Sequence, residues 1–367
     1  MKKRSVLILI LALLVPLLVM LIILSQIPKT SPQDQNTLFP CNTLEYNGQD
    51  KINLVFFSTK EDAEIYSNEL FSFSPLDENK AQFNVYYIDT YLPKCELYKG
   101  IAILCYSKEN IKIAASCPND YIIVLKEEDP SIRSSSYMNL LSINKNHPLT
   151  VIAHEFGHAF ANFAEEYTPS NIPFGSKNCV ETCNKFNSLN EGCFEGCSKD
   201  SYFRSIDYGI MRTLNSKAYG KFNEKIISER ISKSNKITGN IVLETENCNA
   251  QKYYLISGFY KQNEIKIINK SLEKGCVGSS GSGPFNYAIQ KESGAVIGEG
   301  EFNPEFIFTD AQNIQEIQIT GGDFESDINF ILKIPIIPEA SSLNIIKENK
   351  TIQVISLLDI GVTLCQV

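Results

Sequence analysis

The sequence predicts an α+β fold: a twisted sheet and one deeply apolar helix in the first half, then an antiparallel β-sandwich, behind an N-terminal transmembrane helix. Three observations predict it. Strand-like apolar runs at 52–57, 82–88 and 120–125 are interrupted by a helical stretch at 61–70. Residues 149–161 are apolar around most of a helix circumference. After about residue 235 the chain becomes short β-prone runs separated by turn residues.

Met1-Lys2-Lys3-Arg4 precedes an uncharged apolar run from Ser5 to about Leu24, long enough to span a bilayer. The basic residues orient this segment (1–27) with its N-terminus cytoplasmic, so that everything after Ile27 is extracellular on a single-pass membrane protein. Residues 28–50, with Pro28, Pro32 and Pro40 and little apolar surface, read as a linker. A body domain follows over 51–235. Ile52–Phe57 is its first and central strand, Glu61–Leu70 a helix, Gln82–Ile88 a second strand and Asp120–Leu125 a third. Strand, helix, strand implies a crossover and a parallel pair.

Residues 149–167 read LTVIAHEFGHAFANFAEEY. His154 and His158 are four apart, so a helix points both imidazoles at one spot. Neutral imidazole binds zinc, and Glu155, next to a ligand, can take a proton from water activated there. Thr150, after Pro148, is placed as the N-cap. The chain has three histidines; His147 precedes a proline and reads as a loop residue. Zinc needs a third protein ligand, and Glu165 and Glu166 are the nearby acids. On a continuous helix Glu165 would lie roughly 10 Å along the axis from His158, too far to share a metal. The helix must therefore stop near Ala161–Asn162 and the chain fold back, and asparagine tolerates the left-handed conformation this needs.

All eleven cysteines follow the apolar segment, which fits an oxidising compartment. Cys179-x3-Cys183 and Cys193-x3-Cys197, on two antiparallel helices, would allow crosswise bridges Cys179–Cys197 and Cys183–Cys193. That staple is favoured over a four-thiolate zinc site and is read as a support or lid. Cys248 and Cys276 are a further candidate pair, whereas Cys41, Cys95, Cys105, Cys117 and Cys365 are not assignable from spacing. Residues 236–367, with runs such as 241–243, 253–256, 265–268, 306–308, 317–319, 330–332 and 352–355, make up the β-sandwich domain. A net charge of −8 without a basic stripe excludes nucleic-acid binding.

HEFGHAFANFAEEY resembles the HEFGHSFGGLADEY signature of the IgA-peptidase (igalysin) family of metzincin zinc peptidases, over roughly residues 50–225. INLVFF…ELFSFSP…FNVYYID is similar to the entry to that family's catalytic domain, with Ser58-Thr59-Lys60 where a Gly-Tyr pair is usual. The resemblance implies that Glu165, aligned with an aspartate, is the third ligand, with Glu166 as the second choice. It sets Ala161 and Asn162 against the family's two turn glycines. It implies that part of Ile132–Ile143 is a sheet edge pairing with an extended substrate. It also implies that Met211, in Ser205–Arg212, floors the metal site. A tyrosine that steadies the reaction in some metzincins is replaced by Thr213, leaving Tyr208, Arg212 or Tyr219 as substitutes.

The expected function is a membrane-anchored zinc endopeptidase acting on protein or peptide. His154, His158 and Glu165 would hold Zn2+ and Glu155 would be the general base. Two alternatives stand beside it. One is a thermolysin-like topology with Glu181, Glu191 or Glu195 as third ligand on a later helix. The other is a non-catalytic surface binding or adhesion protein on a decayed peptidase scaffold.

Overall fold

Alternation along the first strands decides the architecture. A computed structural model describes residues 38–189, 191–237, 247–261, 264–279, 281–308 and 329–358. The N-terminal apolar segment, residues 28–37 of the linker, the runs at 241–243 and 317–319, and Cys365 lie outside the described residues. Among those described, no helix is long and apolar enough to cross a membrane.

The first half runs β1 (Asn42–Glu45), β2 (Ile52–Phe57), α1 (Lys60–Leu70), β3 (Phe83–Ile88), the hairpin β4 (Glu96–Tyr98) and β5 (Ala102–Leu104), then α2 (Lys108–Ala114). It continues with β6 (Tyr121–Lys126), β7 (Ser135–Tyr137), β8 (Leu140–Asn144) and α3 (Val151–Ala161). A hairpin of β9 (Phe194–Cys197) and β10 (Lys199–Arg204) and helix α4 (Lys221–Ile237) follow. The remaining strands are β11 (Lys252–Lys261), β12 (Glu264–Lys274), β13 (Phe285–Gln290), β14 (Val296–Phe302), β15 (Phe306–Phe308), β16 (Phe330–Pro335), β17 (Ser342–Lys347) and β18 (Lys350–Ser356).

The main sheet has seven strands in the order β1-β3-β2-β6-β8-β7-β15. Strands β3, β2, β6 and β8 are parallel, and β1, β7 and β15 pair antiparallel with their neighbours. Successive strand side chains point to opposite faces. Leu54, Phe56, Tyr121, Ile123, Leu141 and Ile143 therefore pack on one side with α1, α3 and α4. Val55, Phe57, Ile122, Val124 and Leu140 pack on the other, with Leu255, Phe285, Leu332 and Leu343 of the later strands. A parallel sheet buried on both faces reads as a continuous apolar run, which is why INLVFF carries no polar alternation. Thr59 caps α1, accepting from Asp62 N at 3.2 Å, so Ser58-Thr59-Lys60 starts a helix.

The later strands form two antiparallel sheets, β12-β11-β16 and β14-β13-β17-β18. Three expectations need correcting. Phe306–Phe308 joins the main sheet instead: Phe306 pairs with Tyr137 and Ile307 with Ser136. Ile132–Ile143 is consequently no open edge, because β8 is interior and β15 occupies the outer side of β7. The region 179–197 is no helical hairpin; it consists of two short 3-10 turns at Cys183–Lys185 and Asn187–Leu189 and the β9–β10 hairpin. Gly196, at φ +83°, is in a conformation that ends helices rather than continuing them.

Five disulfides cross-link the chain: Cys41–Cys117, Cys95–Cys105, Cys179–Cys197, Cys183–Cys193 and Cys248–Cys276. The crosswise pairing expected for the middle four cysteines and the 248–276 bridge are both present.

Candidate metal centre

α3 is buried along its whole length, from Val151 to Ala161. Its start differs from expectation. Thr150 precedes the first turn, but its side chain makes no cap bond; Thr150 Oγ1 donates to Leu214 O instead. Its end is as expected. Asn162 sits at φ 55°, ψ 39°, with its N–H on His158 O, and Phe163 N donates to Gly157 O. No glycine relieves this turn, and side-chain bonds hold it. Asn162 Nδ2 donates to Phe174 O at 3.0 Å, and Asn303 Nδ2 donates to Asn162 Oδ1 at 2.8 Å.

The reversal brings Glu165 back beside the histidines. Glu165 Oε2 is 3.2 Å from His154 Nε2, and Oε1 is 3.2 Å from His158 Nε2. The two Nε2 atoms are 2.9 Å apart. His154 Nδ1 lies 2.8 Å from Ile210 O and His158 Nδ1 lies 2.7 Å from Phe163 O. A carbonyl only accepts, so each neutral ring carries its proton on Nδ1 and leaves Nε2 with a lone pair. Two lone pairs and a carboxylate thus converge in a site where each of the three side chains is at most 3% exposed. Such a cluster is unfavourable unless a proton or a cation sits within it. Two imidazoles oriented by backbone carbonyls plus one carboxylate is a donor set that could hold a metal ion.

In the metal-free cluster a proton stands in for the cation. Burial by itself would lower His154, but the Glu165 charge and hydrogen bond, with Glu155 behind, hold it up at about 9. Burial would raise Glu165, but His154 and His158 hold it down at about 2. Glu155 is fully buried on α3, one residue from His154.

Glu166 lies outside the His154–His158–Glu165 cluster. Its Oε1 accepts from Asn178 Nδ2 at 3.1 Å and Asn223 Nδ2 at 2.8 Å, and its N–H donates to Met211 O. Burial pushes it up to about 7 against those two amides. Glu191 and Glu181 are engaged elsewhere, and Glu195 lies on β9 rather than on a helix. Glu191 accepts from the N–H groups of Lys221 and Phe222 at the start of α4, and Glu181 accepts from Tyr202 Oη. With α3 ending at Ala161, a later-helix ligand has no counterpart here. His147 bonds Ser134 Oγ and Pro130 O, away from the cluster.

Met211 is fully buried under α3: a Cβ on Gly157 would lie 2.7 Å from its Sδ. Tyr219 donates its hydroxyl to Ala153 O, so that group is already engaged. Tyr208 is exposed, stacked under Arg212 at 4.9 Å. Tyr208, Arg212 and Thr213, with Tyr167 and Arg204, line an open cavity of about 690 Å³ that none of His154, Glu155, His158 and Glu165 borders.

Sequence reasoning missed the residues that hold the returning segment. Asn178 Oδ1 accepts from Ala164 N at 2.7 Å, its Nδ2 donates to Ala164 O, and Ser198 Oγ donates to Glu165 O at 2.7 Å. Asn178 and Ser198 neighbour Cys179 and Cys197, so that disulfide ties together both supports of Glu165. Their adjacency to paired cysteines was the available signal. No family model matches the chain, and no curated protein matches it.

Proposed function

We propose that the chain is a zinc-dependent endopeptidase acting outside the cytoplasm, with a metzincin-like catalytic half. One observation carries the reading: His154 Nε2, His158 Nε2 and Glu165 converge within 3.2 Å contacts, each imidazole locked by a carbonyl behind it. A bound zinc ion would supply Lewis acidity, polarising a peptide carbonyl and acidifying water. Glu155 is the general base, taking a proton from water and passing it to the leaving amine. Met211 supports the helix between the two histidines through its contact at Gly157. Five disulfides support an oxidising location.

A second reading, a non-catalytic binding protein that retains the metal, is favoured by one feature. β15 occupies the outer side of β7, where an extended substrate would add. Elemental analysis and cleavage of an unfolded protein substrate separate the two. Zinc equimolar with the chain, lost in His158→Ala, is expected on both. Cleavage that drops on the order of 10²–10⁴-fold in Glu155→Gln, with zinc retained, is expected only for the peptidase. A zinc-free wild type excludes both readings; zinc without cleavage leaves the second.

A further inference from the structure

Away from the metal centre, Lys333 on β16 is 2% exposed. Among the described residues its Nζ has one hydrogen-bond partner, Asn119 Oδ1, and no carboxylate within ion-pair distance. An ammonium carries three donors, and burying it with one neutral acceptor is strongly unfavourable. Burial pushes the amine down to about 8, against the charge of Asp120. On the order of a tenth of the population therefore carries a free-base amine at neutral pH, and an uncharged lysine is a nucleophile.

Its neighbour is an electrophile held still. Asn119 is fully buried, and its Nδ2 donates to Ala114 O at 3.0 Å and Cys117 O at 2.6 Å. The carbonyl side of the amide is thereby turned towards Lys333. Asp120, the next residue, is anchored: Oδ2 accepts from Asn53 N at 2.7 Å and Oδ1 from Ser279 N at 2.8 Å. It is the positioning residue of the cluster, fixing the 119–120 segment and adding a buried carboxyl whose field reaches Lys333.

We propose that Lys333 and Asn119 are a modification site at which an intramolecular isopeptide bond forms. The neutral Nζ attacks Cγ of Asn119, the Cγ–Nδ2 bond breaks, one Nζ proton goes to Nδ2, and ammonia leaves. The reaction is an amide exchange, with no oxidant, reductant or cofactor. The product removes the buried amine altogether and replaces it with a neutral secondary amide. It ties β16 to the segment leading into β6, two residues from the Cys41–Cys117 bridge. Residues 214 apart in sequence would be joined across the two halves of the chain.

The test is the intact mass of the full-length protein as purified, followed by a tryptic map. The expected result is a mass below that of the disulfide-complete chain by one ammonia. The map should show no cleavage after Lys333 and a branched peptide joining it to the segment containing Asn119. Lys333→Ala should regain the ammonia and lose the branched peptide. A wild type of full mass with trypsin cutting after Lys333 overturns the proposal, as does an ammonia loss mapped to any other residue. The readout is independent of zinc and of any peptidase activity.

Discussion

Two buried side chains, one in the candidate metal centre and one beside it, have raised pKa values with different consequences. His154 is raised to about 9 in the metal-free site, because the Glu165 charge outweighs burial. Zinc requires its lone pair, so binding below about pH 9 must expel a proton. Affinity should fall roughly tenfold per unit as pH drops from about 9 towards 7, measured by competition with a chromophoric chelator. An affinity flat over that range would contradict the ligand role of His154. Glu166 behaves differently. Burial raises it to about 7, above its ordinary value, so the folded state binds the extra proton between about 4.5 and 7. Stability therefore decreases as pH rises through that window, by something on the order of 3 kcal/mol in all. Glu166→Gln keeps an acceptor for Asn178 and Asn223 and removes the titration. Its stability relative to wild type should rise from pH 4.5 to 7.5 in urea unfolding; a constant difference would show that Glu166 does not titrate there.

The helix–turn–return element was legible because its chemistry is local. Two histidines four apart demand a shared partner, and Glu165 reaches it only if α3 stops at Ala161. The sequence could not show what stabilises the stop, since Phe174, Asn178, Ser198 and Asn303 come from distant segments. The same limit explains the misread cysteine region: the spacing suited crosswise bridges, but the backbone between them is a β-hairpin. Asn162 tests the turn. Asn162→Gly loses two side-chain hydrogen bonds, while Asn162→Val loses them and adds left-handed strain of about 1–2 kcal/mol. The valine variant should be less stable by that margin, and equal stabilities would mean the turn relaxes away from φ 55°. Removing the Cys179–Cys197 bridge as a double serine variant should destabilise by about 2–4 kcal/mol. It should also weaken zinc binding, because Asn178 and Ser198 lose their anchor. Unchanged zinc affinity would reduce that bridge to a purely structural staple.

At the scale of the molecule, strand-like texture told the classes of element apart but not which surfaces they cover. The change of texture near residue 235 reads as a second body, yet the described residues from Leu38 onward pack as one compact unit. The reason lies in β2, β6 and β8. Their apolar side chains alternate between two faces, and α1, α3 and α4 cover only one. Val55, Phe57, Ile122, Val124 and Leu140 need a second cover, which Leu255, Phe285, Leu332 and Leu343 provide. β15 extends the arrangement by completing the sheet beside β7. Asn303, just before it, braces the turn that aims Glu165, so the later strands also reach the metal centre. A chain of residues 38–247 would retain both histidines, Glu155 and Glu165 but leave one sheet face exposed to water. Burying each such aliphatic side chain is worth about 1.5–3 kcal/mol, and losing several exceeds the usual stability of a domain. The truncated chain should therefore be insoluble, or bind a hydrophobic dye and lack cooperative unfolding by calorimetry. A soluble, cooperatively folding, zinc-binding 38–247 fragment would overturn the claim that the later strands are part of the first half's core.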